Sequence, residues 1–231
     1  PGFTIATDMC SYYYSHGNKL TADFEAELLQ AIHKLEKETG KVFGSKENPL
    51  LVSVRSGAKI SMPGMMDTIL NLGMNDEVAE SLAKITSNPR FAYDSYRRFI
   101  QMYGSVVLEI PAYIFEDTYD NHKINHNINN DSEVTTEILK AVIQDYKKNV
   151  HRLTGKELDS NLTEQLIKAI EAVLKSWMSP RAIHYRKINN ISEQEVLGTA
   201  VNLQSMVFGN KGNNSATGVV FTRSPANGER K

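Results

Sequence analysis

Four stretches of the chain repeat hydrophobic residues every three or four positions, a spacing typical of amphipathic helices. The first begins after Thr21, a residue type that caps helix N-termini, and ends before Gly40, a common C-terminal stop. The apolar positions are Phe24, Leu28, Ile32 and Leu35, then Phe91, Tyr96, Phe99, Ile100 and Tyr103, then Val134, Ile138, Leu139, Val142, Ile143 and Tyr146, and finally Leu166, Ile170, Val173, Leu174 and Trp177.

Three shorter runs have the composition of β-strands. Residues 50–55 form a β-branched run, and residues 199–208 alternate between apolar and polar. The Gly- and Asn-rich segment 209–215 predicts a turn, after which residues 217–223 are predicted to return as a strand. The order of these patterns predicts an α+β fold with a helical insertion.

The change of pattern along the chain also predicts the domain boundaries. We expect residues 1–75 and 179–216 to form one α+β subdomain, and residues 76–178 to form a mostly helical insertion within it. Residues 217–231 would then begin a second subdomain. The sequence begins without an initiator Met and stops just after a strand-like run, so we expect the chain to be a piece of a longer protein.

Charge and cysteine content exclude several classes of protein. The chain has 26 Lys and Arg against 27 Asp and Glu, so it lacks the positive excess with which proteins bind nucleic acid or an anionic membrane. The apolar run 105–115 is interrupted by Glu109 and Pro111 and is too short to span a bilayer. A single cysteine, Cys10, excludes an internal disulfide and fits a reducing compartment, so a cytoplasmic location is expected.

The strongest candidate for chemistry is the segment 55–68. A strand that ends in Arg55 is followed by Gly57, a Pro-Gly turn at 63–64 and Asp67-Thr68. Glycine allows close approach of the backbone, and a guanidinium matches the geometry of phosphate oxygens, so this segment suits a phosphate. The alternative is an ordinary turn whose arginine is solvated or paired with a carboxylate. No P-loop or Rossmann fingerprint is present, and the S-x-x-K at 56–59 lacks the companion motifs of a serine acyl-enzyme.

Two segments near the C-terminus carry weaker signals. Residues 204–207 lie in a predicted strand whose edge can offer a carbonyl and an N–H to a purine, although simple core packing explains the same pattern. Thr217 can contact a phosphate or merely pair within the predicted hairpin.

Some polar residues of the predicted insertion have simple structural interpretations. His122 and His126 have metal-ligand spacing only on a helix, and the Asn-rich surroundings at 120–131 predict a solvated surface loop instead. Arg97 and Arg98 are expected on the solvent-exposed face of a helix.

Several long blocks of the sequence resemble the pyruvate, phosphate dikinase family. They are LLVSVRSGA at 50–58 with SMPGMMDTILNLG at 61–73, FAYDSYRRFIQMYG at 91–104, NLQSMVFGNKG at 202–212 and TGVVFTR at 217–223. The blocks occur in the family's order and cover essentially the whole chain.

The resemblance implies an ATP-grasp-type nucleotide-binding domain, incomplete here, with an inserted helical subdomain. Family members convert ATP, phosphate and pyruvate to AMP, diphosphate and phosphoenolpyruvate through a phosphohistidine on a separate domain. ATP and Mg²⁺ would be the cofactors. The partners would be phosphate, the phosphohistidine domain and a pyruvate-binding barrel of the same chain, and the full-length protein would be a homodimer.

The resemblance also implies roles for individual residues. Arg55 matches the family's phosphate-contacting, catalytic arginine. The other matched positions are Gly64, Met65, Met66, Asp67 and Thr68 in a loop over the phosphates, Gln204, Met206 and Val207 in the adenine-contacting strand, and Thr217 near the phosphates. The family's upstream lysine and its acidic metal ligands would lie outside this sequence, so no metal ligand is assigned and the piece alone is expected to be inactive.

Two other functions fit the sequence. One is a dikinase that uses water rather than phosphate as its second acceptor, although the Met-Pro-Gly-Met-Met-Asp-Thr motif favours the phosphate-using branch. The other is a non-catalytic interaction module formed by the helices of 76–178.

Overall fold

The computed structural model describes residues 1–192 and 198–230, which form a mixed α/β structure. The strands are β1 (Gly2–Ile5), β2 (Val42–Phe43), β3 (Pro49–Leu50), β4 (Val52–Gly57), β5 (Thr68–Leu72) and β6 (Ala200–Ser205). The helices are α1 (Thr7–Ser15), α2 (Ala22–Thr39), α3 (Asp76–Thr86), α4 (Pro89–Val106), α5 (Ala112–Asn125), α6 (Thr136–Thr154), α7 (Leu162–Ser176) and α8 (Pro180–Ile188), with a 3₁₀ turn at Asp131–Glu133.

Local signals determine where the predicted helices begin and end. Thr21 caps α2 because its hydroxyl accepts a hydrogen bond from the Phe24 N–H at 3.2 Å, and Gly40 ends the helix with φ at 65°. Thr135 caps α6 and Asn161 caps α7 in the same way. The four helices that the hydrophobic spacing predicts are therefore confirmed, as α2, α4, α6 and α7.

Four strands form the main sheet, in the order β1-β6-β4-β5, with every neighbouring pair antiparallel. Val54 lies opposite Leu203 on β6 and Ile69 on β5, and all three are buried. Helix α7 packs against β4, β5 and β6. Because successive side chains of a strand point to opposite faces, the positions between these apolar residues project from the other face of the sheet.

The strand predictions are confirmed in part. The predicted strand at 50–55 corresponds to β3 and β4, and β4 continues past Arg55 to Gly57. The predicted strand at 199–208 is shorter, as β6. The predicted return strand at 217–223 is wrong, since no regular element forms there and Val219, Val220 and Phe221 are exposed. Apolar alternation alone does not make a strand when no neighbouring strand pairs with it.

Helices replace much of the surface loop predicted at 120–131. Helix α5 runs to Asn125, held by the buried rings of Phe115 and Tyr119 one turn apart, and only the residues after it form a loop. His122 lies on this helix and its Nε2 is 2.9 Å from a carboxylate oxygen of Asp145. The prediction of a solvated His122 is therefore wrong, because its side chain is only 18% exposed.

The prediction that Arg97 lies on a wet helix face is also wrong, whereas Arg98 is exposed as expected. The Arg97 guanidinium donates to the Asp94 carboxylate at 2.8 Å and lies 4.2 Å from the centre of the Tyr119 ring. Charge pairing and a cation–π contact let this arginine occupy a buried position that its sequence context does not reveal.

Helices α3 to α6 pack mainly on one another, whereas α7 packs mainly on the sheet and α4 also contacts β5. The apolar stripes of α4, α6 and α7 are buried in this packing. The large hydrophobic side chains that stay exposed between 76 and 178 are few and separated: Ile85, Tyr113, Ile124, Leu153 and Met178. Burial of the stripes counts against the interpretation of these helices as an interaction module. In the parts of the chain described here, no helix is both long and apolar enough to cross a membrane.

Five tyrosines are expected to make the free energy of unfolding depend on pH in the alkaline range. Burial is the main cause that raises the pKa of each phenol, to about 12 for three of them. Because of these raised pKa values, the folded state holds protons that an unfolded chain loses near pH 10. We expect stability to fall as pH rises from about 10 to 12. These tyrosines are Tyr13, Tyr14 and Tyr146, with larger shifts for Tyr96 and Tyr103.

Tyrosinate absorbance recorded together with far-UV circular dichroism measures this effect. These five phenols, with their raised pKa values, should ionise only as the dichroism is lost. Their ionisation near pH 10 with unchanged dichroism would contradict the prediction.

Candidate functional site

A row of polar residues crosses the open face of the main sheet. In the strand register, Asn202 on β6 lies opposite Thr4 on β1 and opposite Arg55 on β4, and Arg55 lies opposite Thr68 on β5. Directly opposed residues of antiparallel strands project from the same face. Thr4 and Arg55 are exposed, and Asn202 and Thr68 are half-buried. The polar row therefore consists of Thr4, Asn202, Arg55 and Thr68, one residue from each strand.

An open cleft of about 560 Å³ lies over part of the polar row. The Arg55 guanidinium projects into it and donates to the side-chain oxygen of Gln204, while the Thr4 hydroxyl donates to Asn202 Oδ1 at 2.7 Å. The lining residues are Pro1, Gly2, Phe3, Thr4, Arg55, Ser56, Asn202, Leu203 and Gln204, and none of them is a carboxylate. Among the described residues, Arg55 has no carboxylate partner, so its charge is available to an anion.

The loop between β4 and β5 is anchored by hydrogen bonds to α7 and α8. The Arg181 guanidinium, from the first turn of α8, donates to the Asp67 carboxylate and, at 3.1 Å, to the Met65 carbonyl. The Asp67 N–H donates to Ser176 Oγ at 3.3 Å. Asp67 lines a second cavity of about 810 Å³ beside α7. Gly64, at the tip of the loop, is exposed and has φ at 72°, a conformation that favours glycine.

The remaining predicted site residues lie beyond the polar row. The Met206 N–H donates to the Leu51 carbonyl at 2.8 Å, and its side chain lines a small cavity of about 110 Å³. Val207 is 90% exposed. Thr217 lies against Gly209, where a Cβ would come within 1.7 Å of the Thr217 hydroxyl oxygen.

The structure thus brings Arg55, Thr68 and Gln204 together in one face. The segment from Gly64 to Asp67 belongs to the loop between β4 and β5 and is connected to this face only through those two strands. Met66, like Met65, is half-buried against the hydrophobic core.

Sequence reasoning missed three residues near this site. Thr4 and Asn202 belong to the polar row, and Asn202 had a usable signal, since it stands between buried Val201 and Leu203 in an alternating strand. Arg181 had no local signal, because its partners lie more than a hundred residues earlier in the chain.

The fold and the cleft define an α/β domain whose open sheet face carries a guanidinium that, within residues 1–192 and 198–230, has no carboxylate partner. The chain belongs to the pyruvate phosphate dikinase, AMP/ATP-binding domain family, whose model matches residues 16–231.

Curated relatives carry related names. A pyruvate, phosphate dikinase of Rickettsia bellii is 57% identical over 230 residues, which cover 100% of this chain and 26% of the relative. The enzyme of that name from Clostridium symbiosum is 51% identical, with 99% and 26% covered, and a chloroplastic one from Mesembryanthemum crystallinum is 49% identical, with 100% and 24% covered. The chain spans about a quarter of the length of these relatives.

Proposed function

We propose that the chain is the nucleotide-binding part of a pyruvate, phosphate dikinase, and that its open sheet face holds the phosphate tail of ATP. The observation that carries this proposal is the Arg55 guanidinium, which projects into a cleft without carboxylates in a member of an AMP/ATP-binding domain family. Thr68 and Gln204 lie beside it on the same face.

The proposed reaction is the conversion of ATP, phosphate and pyruvate to AMP, diphosphate and phosphoenolpyruvate. A histidine on another domain carries the phosphoryl group between the two half-reactions. Phosphoryl transfer depends on neutralising the charge around the moving group more than on covalent help from the protein. Arg55 binds and orients the phosphate tail, and the loop from Gly64 to Thr68 covers it in the closed enzyme. Gln204, Met206 and Val207 contact the adenine, and Thr217 approaches the phosphates.

Mg²⁺ is proposed to arrive with ATP. Within residues 1–192 and 198–230, no three His, Cys, Asp or Glu side chains group as metal ligands, so these residues do not fit a metal site of their own.

We also propose an incomplete ATP-grasp-type domain. The main sheet joins β1, β4 and β5 to β6 across the intervening helices, which supports one subdomain of residues 1–75 and 179–216 with 76–178 inserted. The segment 193–197 of this range lies outside the described residues. Residues 217–231 begin the second subdomain. The phosphohistidine domain and the pyruvate-binding barrel belong to the rest of a longer, homodimeric protein.

Product analysis of the full-length protein tests the proposal. Incubated with ATP, phosphate and pyruvate, it should release AMP, diphosphate and phosphoenolpyruvate in equal amounts, whereas residues 1–231 alone should show no turnover. Release of free phosphate without diphosphate would assign the water-using branch instead. Turnover by residues 1–231 alone would refute the assignment as an incomplete domain.

A further inference from the structure

Asn202 occupies the middle of the polar row, between Thr4 and Arg55. Asparagine is depleted in strand interiors, where β-branched and aromatic residues pack better. Its two strand neighbours, Val201 and Leu203, are fully buried on the opposite face. Asn202 therefore does not contribute to the apolar core, and its side chain faces the cleft that Arg55 lines.

The orientation of the Asn202 amide is fixed from one side. The Thr4 hydroxyl donates to Oδ1 at 2.7 Å, which turns the Nδ2 group away from β1 and toward β4. On that side, a Cβ built at position 57 would lie 2.5 Å from Nδ2. Gly57 therefore leaves the space that the amide occupies, since any other residue would displace it.

The Nδ2 group has two hydrogens to donate and, among the described residues, no acceptor within hydrogen-bonding range. Its nearest charged neighbour across the strand pair is Arg55, which is also a donor. Two adjacent donors that cannot bond to each other can share an acceptor from outside the chain. A phosphate group presents several oxygens at the separation that two such donors require.

We propose that the Asn202 amide is a second phosphate-binding donor beside Arg55, and that Thr4 and Gly57 are its positioning residues. The inference rests on the proposed function, because it concerns the ligand that Arg55 holds. It assigns to Asn202 a direct hydrogen bond to the polyphosphate tail of ATP. It also explains why a threonine, an asparagine and an arginine share one register line across β1, β6 and β4.

The test is the binding of ATP and of adenosine to variants of the full-length protein. Asn202→Asp keeps the shape and the Oδ1 acceptor for Thr4 but replaces the donor with a negative charge. We expect a rise of roughly 10-fold or more in the Kd for ATP, since a hydrogen bond to a charged group is lost. The Kd for adenosine should not change, because adenosine has no phosphate.

Two further variants keep the test decisive if Asn202→Asp does not fold. Thr4→Val is almost isosteric and lies at an exposed position, and Gly57→Ala places a methyl group 2.5 Å from Nδ2. Both should weaken ATP binding several-fold through the orientation of the amide, and adenosine binding should stay constant. Asn127→Asp, on the exposed loop after α5, is the matched control and should bind both ligands as the unchanged protein does.

The outcomes separate the inference from the function on which it rests. If Arg55→Ala weakens ATP binding while Asn202→Asp and Thr4→Val do not, the inference is overturned and the proposed function stands. If none of these variants affects ATP binding, both are overturned. Equal losses for ATP and adenosine in Asn202→Asp would indicate a structural role and would also overturn the inference.

Discussion

The Arg55→Ala variant of the full-length protein is expected to lose about 100-fold or more of its rate of histidine phosphorylation by ATP. A preorganised group that stabilises charge in the transition state contributes on this scale, and Arg55 is the cation that lines the cleft. Under the proposed function, the reverse half-reaction, in which phosphoenolpyruvate phosphorylates the same histidine, should keep most of its rate because it uses a different domain. Single-turnover measurements of the two half-reactions, with radiolabelled ATP and radiolabelled phosphoenolpyruvate, give the comparison.

The control for this prediction is another exposed arginine. Arg152, near the C-terminal end of α6, donates a hydrogen bond to Asn149 and lies outside the cleft. Arg152→Ala should leave both half-reactions unchanged. If Arg55→Ala damaged both half-reactions equally, the arginine would have a role in folding rather than in nucleotide chemistry.

Gly104→Ala is expected to destabilise the packing of α4 against α5. A Cβ at position 104 would lie 2.3 Å from the ring of Phe115, which is fully buried and packs against the ring of Tyr146. Alanine favours a helix over glycine by about 1 kcal/mol, but overpacking a filled core costs about 1–3 kcal/mol or more, and here the ring must move. We expect a net loss of about 1–2 kcal/mol in the local opening free energy, measured by hydrogen exchange of α4 and α5 amides.

Two further variants isolate the cause of that loss. Adding Phe115→Leu to Gly104→Ala should recover part of the stability, because the smaller side chain vacates the space that the methyl group needs. Glu116→Ala, at an exposed position on α5, should change little. A Gly104→Ala protein with exchange as slow as that of the unchanged protein would show that the two helices do not approach this closely.

Elements with local signals could be predicted from the sequence. Thr21 and Gly40 directly flank the segment with helical hydrophobic spacing. Helix α2 could therefore be predicted from its own residues, without knowledge of the rest of the chain. Strand β4 was equally visible in its β-branched residues. Arg55 could be selected as a candidate because the glycines that follow it are adjacent in sequence.

Features that depend on distant partners could not be predicted. Arg97 is buried because Asp94 and the Tyr119 ring compensate its charge, and the ring lies on another helix. The register that aligns Thr4 with Asn202 joins residues 198 positions apart, and no local pattern encodes it. The predicted strand at 217–223 failed for the same reason, since pairing depends on a neighbouring strand.

The central claim is that the open sheet face holds the polyphosphate tail of ATP. A crystal structure of the full-length protein with Mg²⁺ and a non-hydrolysable ATP analogue tests it most directly. The account predicts a phosphate oxygen within about 3.2 Å of the Arg55 guanidinium, above the polar row. A phosphate tail bound elsewhere, with Arg55 still hydrogen-bonded to Gln204 and facing an empty cleft, would contradict it.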